Sequence, residues 1–346
     1  MTEEKYTGAL IDDRSSSEKE KDYRFEEMVA SSDVVNWQEK DIDDWKEYPI
    51  SDQDGSGSCV AQTASLMLGI MHGGLSGNGF VPFSATHIYQ RRKNKPSGGM
   101  NGIDCGDIVR QGVTLETLVP SQDMNDSEMD RIEIAEYKKR VGEVFKPENY
   151  VLLPTADIDV IASTIQKTGK PVMVWYYFKH SEWKKEMPEV QDTRLNRSNA
   201  SRHSVTAIDY FLHKGKKCLL IQDSWGVNTG IRGRRIITED FHTKRNWFAL
   251  YFLDFKFAFG QQPDNKPKYF FTETMRFSTK VTYSMEVKAL QNCLKYEGFF
   301  PTNIESTGYF GAITKKAVIN WQKKHNLVAD GIIGRNSRSV LNRLYA

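Results

Sequence analysis

The stretch GQQPDNKPK, residues 260–268, divides a 346-residue chain into two parts whose apolar periodicity differs. Its proline, glycine and polar content reads as a linker. Ahead of it lie runs rich in β-branched and aromatic residues. Beyond it, apolar residues recur at helical spacing. The chain is therefore expected to form a larger mixed domain followed by a small helical one.

In the larger part, GKPVMVWYYF (169–178) reads as a buried strand. HSVTAIDYF (203–211) and KKCLLIQDSW (216–225) read as paired strands around a tight turn at His213–Gly215, and RRIITEDF and NWFALYFLDF carry strand character to about residue 257. A helical run precedes these strands. In CVAQTASLMLGIMHGG, Val60, Ala64, Met67, Leu68 and Met71 fall on one face, and Gly73-Gly74 supplies the stop. This predicts three or four turns of helix with Cys59 at the N-terminal end. A helix first and antiparallel strands later is an α+β pattern. VVNWQ (34–38) reads as a short strand and RRKNKPSGGMNGIDCG (91–106) as a loop. After the linker, three short amphipathic helices are expected, the first with Val287, Leu290 and Leu294 on one face and the second with Ile313, Ala317, Val318 and Trp321. The boundaries so drawn are a charged arm over 1–33, a mixed domain over 34–257, a linker over 258–282 and an all-α domain over 283–346. The arm, with SSSEKEKD at its centre, is expected to be poorly ordered or laid across the surface.

The formal net charge is +2, which gives no global argument for a nucleic-acid partner. The charge is uneven. Residues 1–45 hold 14 acidic and 6 basic side chains, and residues 280–346 hold 10 basic and 4 acidic. A mildly basic C-terminal module suits an anionic polymer such as a cell wall, or simply a solvated helical surface. RRKNK (91–95) reads as a solvated loop, and GGLSGNG (73–79) lacks the lysine of a phosphate-cradling loop. With no HExxH, no CxxC pair and no acidic calcium loop, no metal or cofactor is expected. The cysteines, Cys59, Cys105, Cys218 and Cys293, are too scattered for a zinc ribbon or redox pair, and no disulfide framework is expected. The N-terminus has no secretory signature, and no run approaches the roughly 18 apolar residues of a membrane span. The chain is expected to be made as a soluble cytoplasmic protein and to reach a cell wall or virion by another route.

The chemistry centres on QDGSGSC, 53–59. A thiol attacks as the thiolate, which a helix N-terminus and a neighbouring imidazolium both favour. Cys59 is placed for the first effect. Gly57 and Ser58, both small, let a substrate approach the backbone. The oxyanion formed on attack needs donors already in place. The Cys59 N–H and the side-chain amide of Gln53, six residues upstream, are the candidates. His203 opens a strand and can be held rigidly as the base. Asp223, in QDSWG on the next strand, is positioned to orient it, and Trp225 to cover the pair.

These residues resemble the papain-like cysteine peptidases. The glutamine six residues before the cysteine is Gln53, the Gly-Ser-Cys context is Gly57-Ser58-Cys59, the strand-opening histidine is His203-Ser204-Val205, and the family's Asn-Ser-Trp-Gly motif appears as Asp223-Ser224-Trp225-Gly226. The resemblance covers about residues 34–257, with VVNWQ taken as the strand before the active-site loop and PFSATHIYQ and GVTLETLVP as intervening helical stretches. It implies a two-lobe fold, a helical lobe and an antiparallel β lobe, with Cys59, His203, Asp223 and Gln53 catalytic and Trp225, Ser58 and Gly57 lining the substrate. Three departures stand out. Ser56 replaces a disulfide cysteine, Val60 replaces an aromatic residue, and Asp223 replaces the orienting asparagine, which is expected to raise the pKa of His203. The acidic arm is also shorter than the inhibitory pro-segment of many members.

The C-terminal segment resembles the peptidoglycan-binding repeat of cell-wall hydrolases at Val287, Leu290-Gln291, Leu294, Gly298, Tyr309-Phe310-Gly311, Thr314, Ala317-Val318, Trp321-Gln322, Leu327, Asp330-Gly331 and Gly334. The reading is a cysteine endopeptidase acting on a peptide or protein substrate and tethered to peptidoglycan, as in a phage lysin or virion-associated enzyme. Two alternatives compete: a transglutaminase-like acyl transferase or wall amidase, and a non-catalytic wall-binding or virion structural protein on a peptidase scaffold.

Overall fold

A computed structural model of the chain describes residues 8–19, 35–40, 48–76, 80–143, 145–255, 266–280 and 282–346. One lobe is built around the helix Cys59–Ser76. Val60, Ala61, Ala64, Met67 and Leu68 are fully buried and Gln62 and Thr63 nearly so, so its first turns are enclosed on all sides as a core helix. It runs past the expected stop at Gly73-Gly74. Glycine costs about 1 kcal/mol in a helix interior, and the packing of the buried turns before it outweighs that.

The second lobe is a six-stranded antiparallel sheet in the order β3-β8-β4-β5-β6-β7, with β3 Tyr150–Leu152, β4 Val172–Phe178, β5 Ser201–His213, β6 Lys216–Gln222, β7 Arg234–Thr238 and β8 Asn246–Phe252. β5 and β6 form the expected hairpin. Lys214 and Gly215 at its tip both have positive φ, at 53° and 74°, the backbone twist that a two-residue hairpin turn needs. EDF of RRIITEDF leaves the sheet. The Thr238 hydroxyl accepts from Phe241 N–H and opens a helix over Glu239–Arg245.

Several local expectations are corrected. Residues 91–106 are not all loop. Met100–Asn101 (β2) pairs in parallel with Ala9–Leu10 (β1), and Asn101 caps a helix over Gly102–Val109. Arg92, expected in solvent, is buried and ion-paired with Asp130 at 2.7 Å. GVTLETLVP forms turns and a single bridge, Phe83 to Leu115, instead of a helix. Of VVNWQ, Val34 lies outside the described residues. The rest makes no strand, and Trp37 is drawn aside to donate to Asp159 at 2.7 Å.

Three helices close the chain, at Met285–Tyr296, Ala312–Lys324 and Arg335–Tyr345. Residues 266–280, read as linker, are bonded to them. Phe271 is 1% exposed and its N–H donates to Asn342, Glu286 accepts from the N–H groups of Thr272 and Glu273, and Met275 bridges Ile333. The helix Ala312–Lys324 packs against Cys59–Ser76, so the two cores are continuous. No helix among the described residues is long and apolar enough to cross a membrane.

Candidate active site

QDGSGSC lies at the junction of the lobes, stitched to the segment after β6. Gln53 N–H donates to Ser224 O at 2.9 Å, Gly226 N–H donates to Ser51 O at 3.1 Å, and Asp52 bridges Trp225. Asp54 and Gly55 turn the chain with positive φ. Ser56, which stands in the place of the disulfide cysteine of the family it resembles, uses its hydroxyl locally. It donates to Gln53 O at 2.6 Å and lies 2.7 Å from Ser58 Oγ. All four cysteines are free and buried.

The Gln53 amide is held at both ends. Its Oε1 accepts from Ser224 Oγ at 2.8 Å and its Nε2 donates to Ser56 O at 2.6 Å. A primary amide carries two N–H donors and one acceptor oxygen, and these two bonds fix its orientation. Cys59 opens the helix, and the first N–H groups of a helix have no intrahelical acceptor.

His203 enters on β5 opposite Tyr176 of β4. Its Nε2–H donates to Asp223 Oδ1 at 2.7 Å, and both side chains are shut off from solvent. Trp225 covers the ring, 4.6 Å between centroids. With Nε2 committed, Nδ1 is the nitrogen left for the Cys59 thiol. Burial alone would lower the His203 pKa. The Asp223 charge, the hydrogen bond to it and Cys59 outweigh burial and raise it to about 9. Burial works to raise the Asp223 pKa, but the charges of His203 and Arg235 lower it to about 2.

The structure thus brings Gln53, Cys59, His203, Asp223 and Trp225 together. Ser58, expected to face substrate, is instead fully buried with its hydroxyl near Ser56. Gly57 is needed for a close approach: a Cβ there would lie 2.5 Å from Gly99 N. Its N–H donates to Asp126 Oδ1 at 2.8 Å, and the same oxygen accepts from Tyr89 OH. Neither Asp126 nor Tyr89 was singled out from sequence.

Two more residues were missed. Trp183 donates through Nε1 to Asp223 Oδ2 at 3.0 Å, and Arg235 Nη1 bonds the same oxygen. One signal for Arg235 exists in the sequence. It shares a strand face with Ile237 in RRIIT, and an arginine on a buried face needs an acid.

The arm completes the site. Gly8 O accepts from Met100 N–H at 2.7 Å, and a Cβ on Gly8 would lie 1.8 Å from Gly57 O. Ala9 is buried, and β1 also touches β5, the strand that carries His203. Residues 8–10 therefore lie beside Gly57 on one side and β5 on the other, and Cys59 has no exposed surface. Among the described residues no cluster of histidine, cysteine and carboxylate side chains could hold a metal ion.

Comparisons with known proteins agree with this architecture. Residues 284–341 match the peptidoglycan binding domain family, and residues 32–244 match the papain family cysteine protease model. Among solved structures, xylellain, a cysteine protease from Xylella fastidiosa, aligns at 16% identity and a TM-score of 0.56 over 73% of this chain and 97% of its own. A cysteine protease from Carica candamarcensis aligns at 16% identity and a TM-score of 0.45, covering 60% of this chain and 94% of its own. Procathepsin B from Trypanosoma congolense aligns at 13% and 0.48, covering 72% and 86%. The xylellain likeness shows the fold. No curated protein matches the chain. With its model matched over more than half of the residues, the chain belongs to the papain family of cysteine proteases.

Proposed function

We propose that this protease cleaves peptide bonds through Cys59, His203, Asp223 and Gln53, and that its C-terminal domain holds it on peptidoglycan. The observation that carries the reading is His203 set between Asp223 and Cys59, with Gln53 fixed beside them by Ser224. The Cys59 thiolate attacks the carbonyl carbon and forms a C–S bond. The oxyanion takes hydrogen bonds from the Cys59 N–H and Gln53 Nε2. As the C–N bond breaks, the His203 imidazolium gives its Nδ1 proton to the leaving amine, and a thioester remains. Neutral His203 then takes a proton from water as its oxygen attacks the thioester carbon, and the thiolate leaves. Asp223 fixes the ring and stabilises the imidazolium.

The peptidoglycan binding domain match supports a wall-bound substrate, either the peptide part of peptidoglycan or a protein beside it. A role as a phage lysin or virion-carried enzyme fits that pairing of domains. The test is digestion of a peptide library and of purified peptidoglycan by the wild-type chain and by Cys59→Ala, with sedimentation of both on sacculi. Cleavage by the wild type alone and sedimentation of both are expected. Equal cleavage by Cys59→Ala overturns the nucleophile assignment, and failure of both to sediment overturns the tether.

A further inference from the structure

Asp223 brings a full negative charge to a position buried beside the imidazole and the thiol. An unbalanced buried carboxylate there would hold the proton on His203 too firmly for transfer to a leaving amine, and would repel the thiolate. The structure supplies the balance. Arg235 stands on β7 directly across from Ile221 of β6, two residues before Asp223. The residue is 1% exposed, and its guanidinium bonds Asp223 Oδ2, donates through Nε to Trp183 O at 2.7 Å, and lies over the Trp183 ring at 5.0 Å. Nothing in the reaction touches it.

We propose that Arg235 is a positioning residue that offsets part of the Asp223 charge, so that the carboxylate orients His203 and holds its proton less firmly than an unpaired carboxylate would. The other groups packed around the pair do not supply that balance. Trp183 and Trp225 are uncharged, and His180 stacks on the outer side of Trp225. Glu182 is ion-paired with Arg245 at 2.6 Å, and the Cys59 thiol interacts with His203. His242 is buried against Tyr176, and burial lowers its pKa to about 3, so it is neutral. Arg235 is the cation on Asp223 besides His203 itself.

The test reads the His203 ring by NMR in full-length protein labelled on histidine nitrogen, in a Cys59→Ala background that removes the thiol's own titration. Arg235→Gln keeps a donor but loses the charge, and should raise the His203 titration point by about one pH unit, a tenfold tighter hold on the proton. Arg235→Lys keeps the charge and should leave the titration near the starting value even where it lowers Tm. Asp223→Asn alone strands the guanidinium and should lower the titration point. Adding Arg235→Gln to it should bring the point part of the way back.

An unchanged titration in folded Arg235→Gln overturns the inference. If that variant does not fold, equal titration of Asp223→Asn with and without Arg235→Gln overturns it. The inference rests on the thiol-protease reading, but the titration needs no substrate. Absent cleavage with the ranking intact refutes that reading alone, and cleavage with a flat ranking refutes the inference alone.

Discussion

Gly8 is the smallest handle on the arm that lies beside Gly57. A side chain there cannot be accommodated, because its Cβ would sit 1.8 Å from the backbone oxygen of Gly57. Gly8→Val should therefore lift the arm off the site while leaving the two lobes intact. The hold of the arm can be worked from its contacts. The Gly8 O to Met100 N–H bond contributes about 1 kcal/mol. The buried Ala9 methyl and the half-buried Leu10 side chain add about 1–2 kcal/mol. Together these favour the covered state by about 2–3 kcal/mol, a ratio on the order of 100 to 1. A strap that must leave before substrate enters raises KM by that ratio and leaves kcat alone. The assay is steady-state hydrolysis of a peptide by the full chain, by Gly8→Val and by a chain lacking residues 1–19. Both variants should show KM lower by about 30-fold or more at unchanged kcat. If both keep KM within a factor of about two of wild type, the arm does not close the site and the energy assigned to its contacts is misplaced.

Three further outcomes are expected. Gln53→Ala should lower kcat by about 100-fold with little change in KM, measured on the same peptide, because the proposed mechanism makes its amide one of the oxyanion donors. The raised His203 pKa predicts a pH dependence of stability. Protonated His203 stabilises the fold fully below about pH 6.5, and that contribution, about 3 kcal/mol at most, is lost as pH rises through about 9. Urea unfolding under reducing conditions should show this loss in the wild type and little of it in His203→Gln. Phe271→Ala should lower stability by about 3 kcal/mol or more, seen as a fall in Tm, because the buried ring joins residues 266–280 to the C-terminal helices; a shift below about 1 kcal/mol would return that segment to the status of a linker.

Local pattern carries a good part of this protein. The apolar face from Val60 to Met71 specifies a helix that Cys59 opens, since helical periodicity is written in neighbouring residues. Lys214-Gly215 between two apolar runs specifies a hairpin, and the hairpin brings the strand of His203 beside the segment of Asp223. The three C-terminal helices were legible for the same reason. The Gln53, Cys59, His203 and Asp223 set could be chosen because each residue type has a chemistry that needs the others.

Other features depend on which distant segments meet, and no local pattern states that. GVTLETLVP has a helix-compatible composition, but a bridge from Phe83 to Leu115 holds it in turns. VVNWQ has strand composition, but Trp37 is drawn to Asp159, 122 residues away. The partner of Asp223 on its far side follows from the register of β6 against β7, which sets Arg235 across from Ile221. The arm over Gly57 and the packing of residues 266–280 on the last helices are likewise long-range contacts between segments of unremarkable composition. The sequence alone determined the helix that Cys59 opens, the β5–β6 hairpin, the C-terminal helices and the candidate reacting groups, because those follow from nearest neighbours along the chain and from side-chain chemistry. The tertiary structure decided the pairing of Arg235 with Asp223 behind the imidazole and the placement of residues 8–10 beside Gly57, because both arise only when separate parts of the chain are brought together.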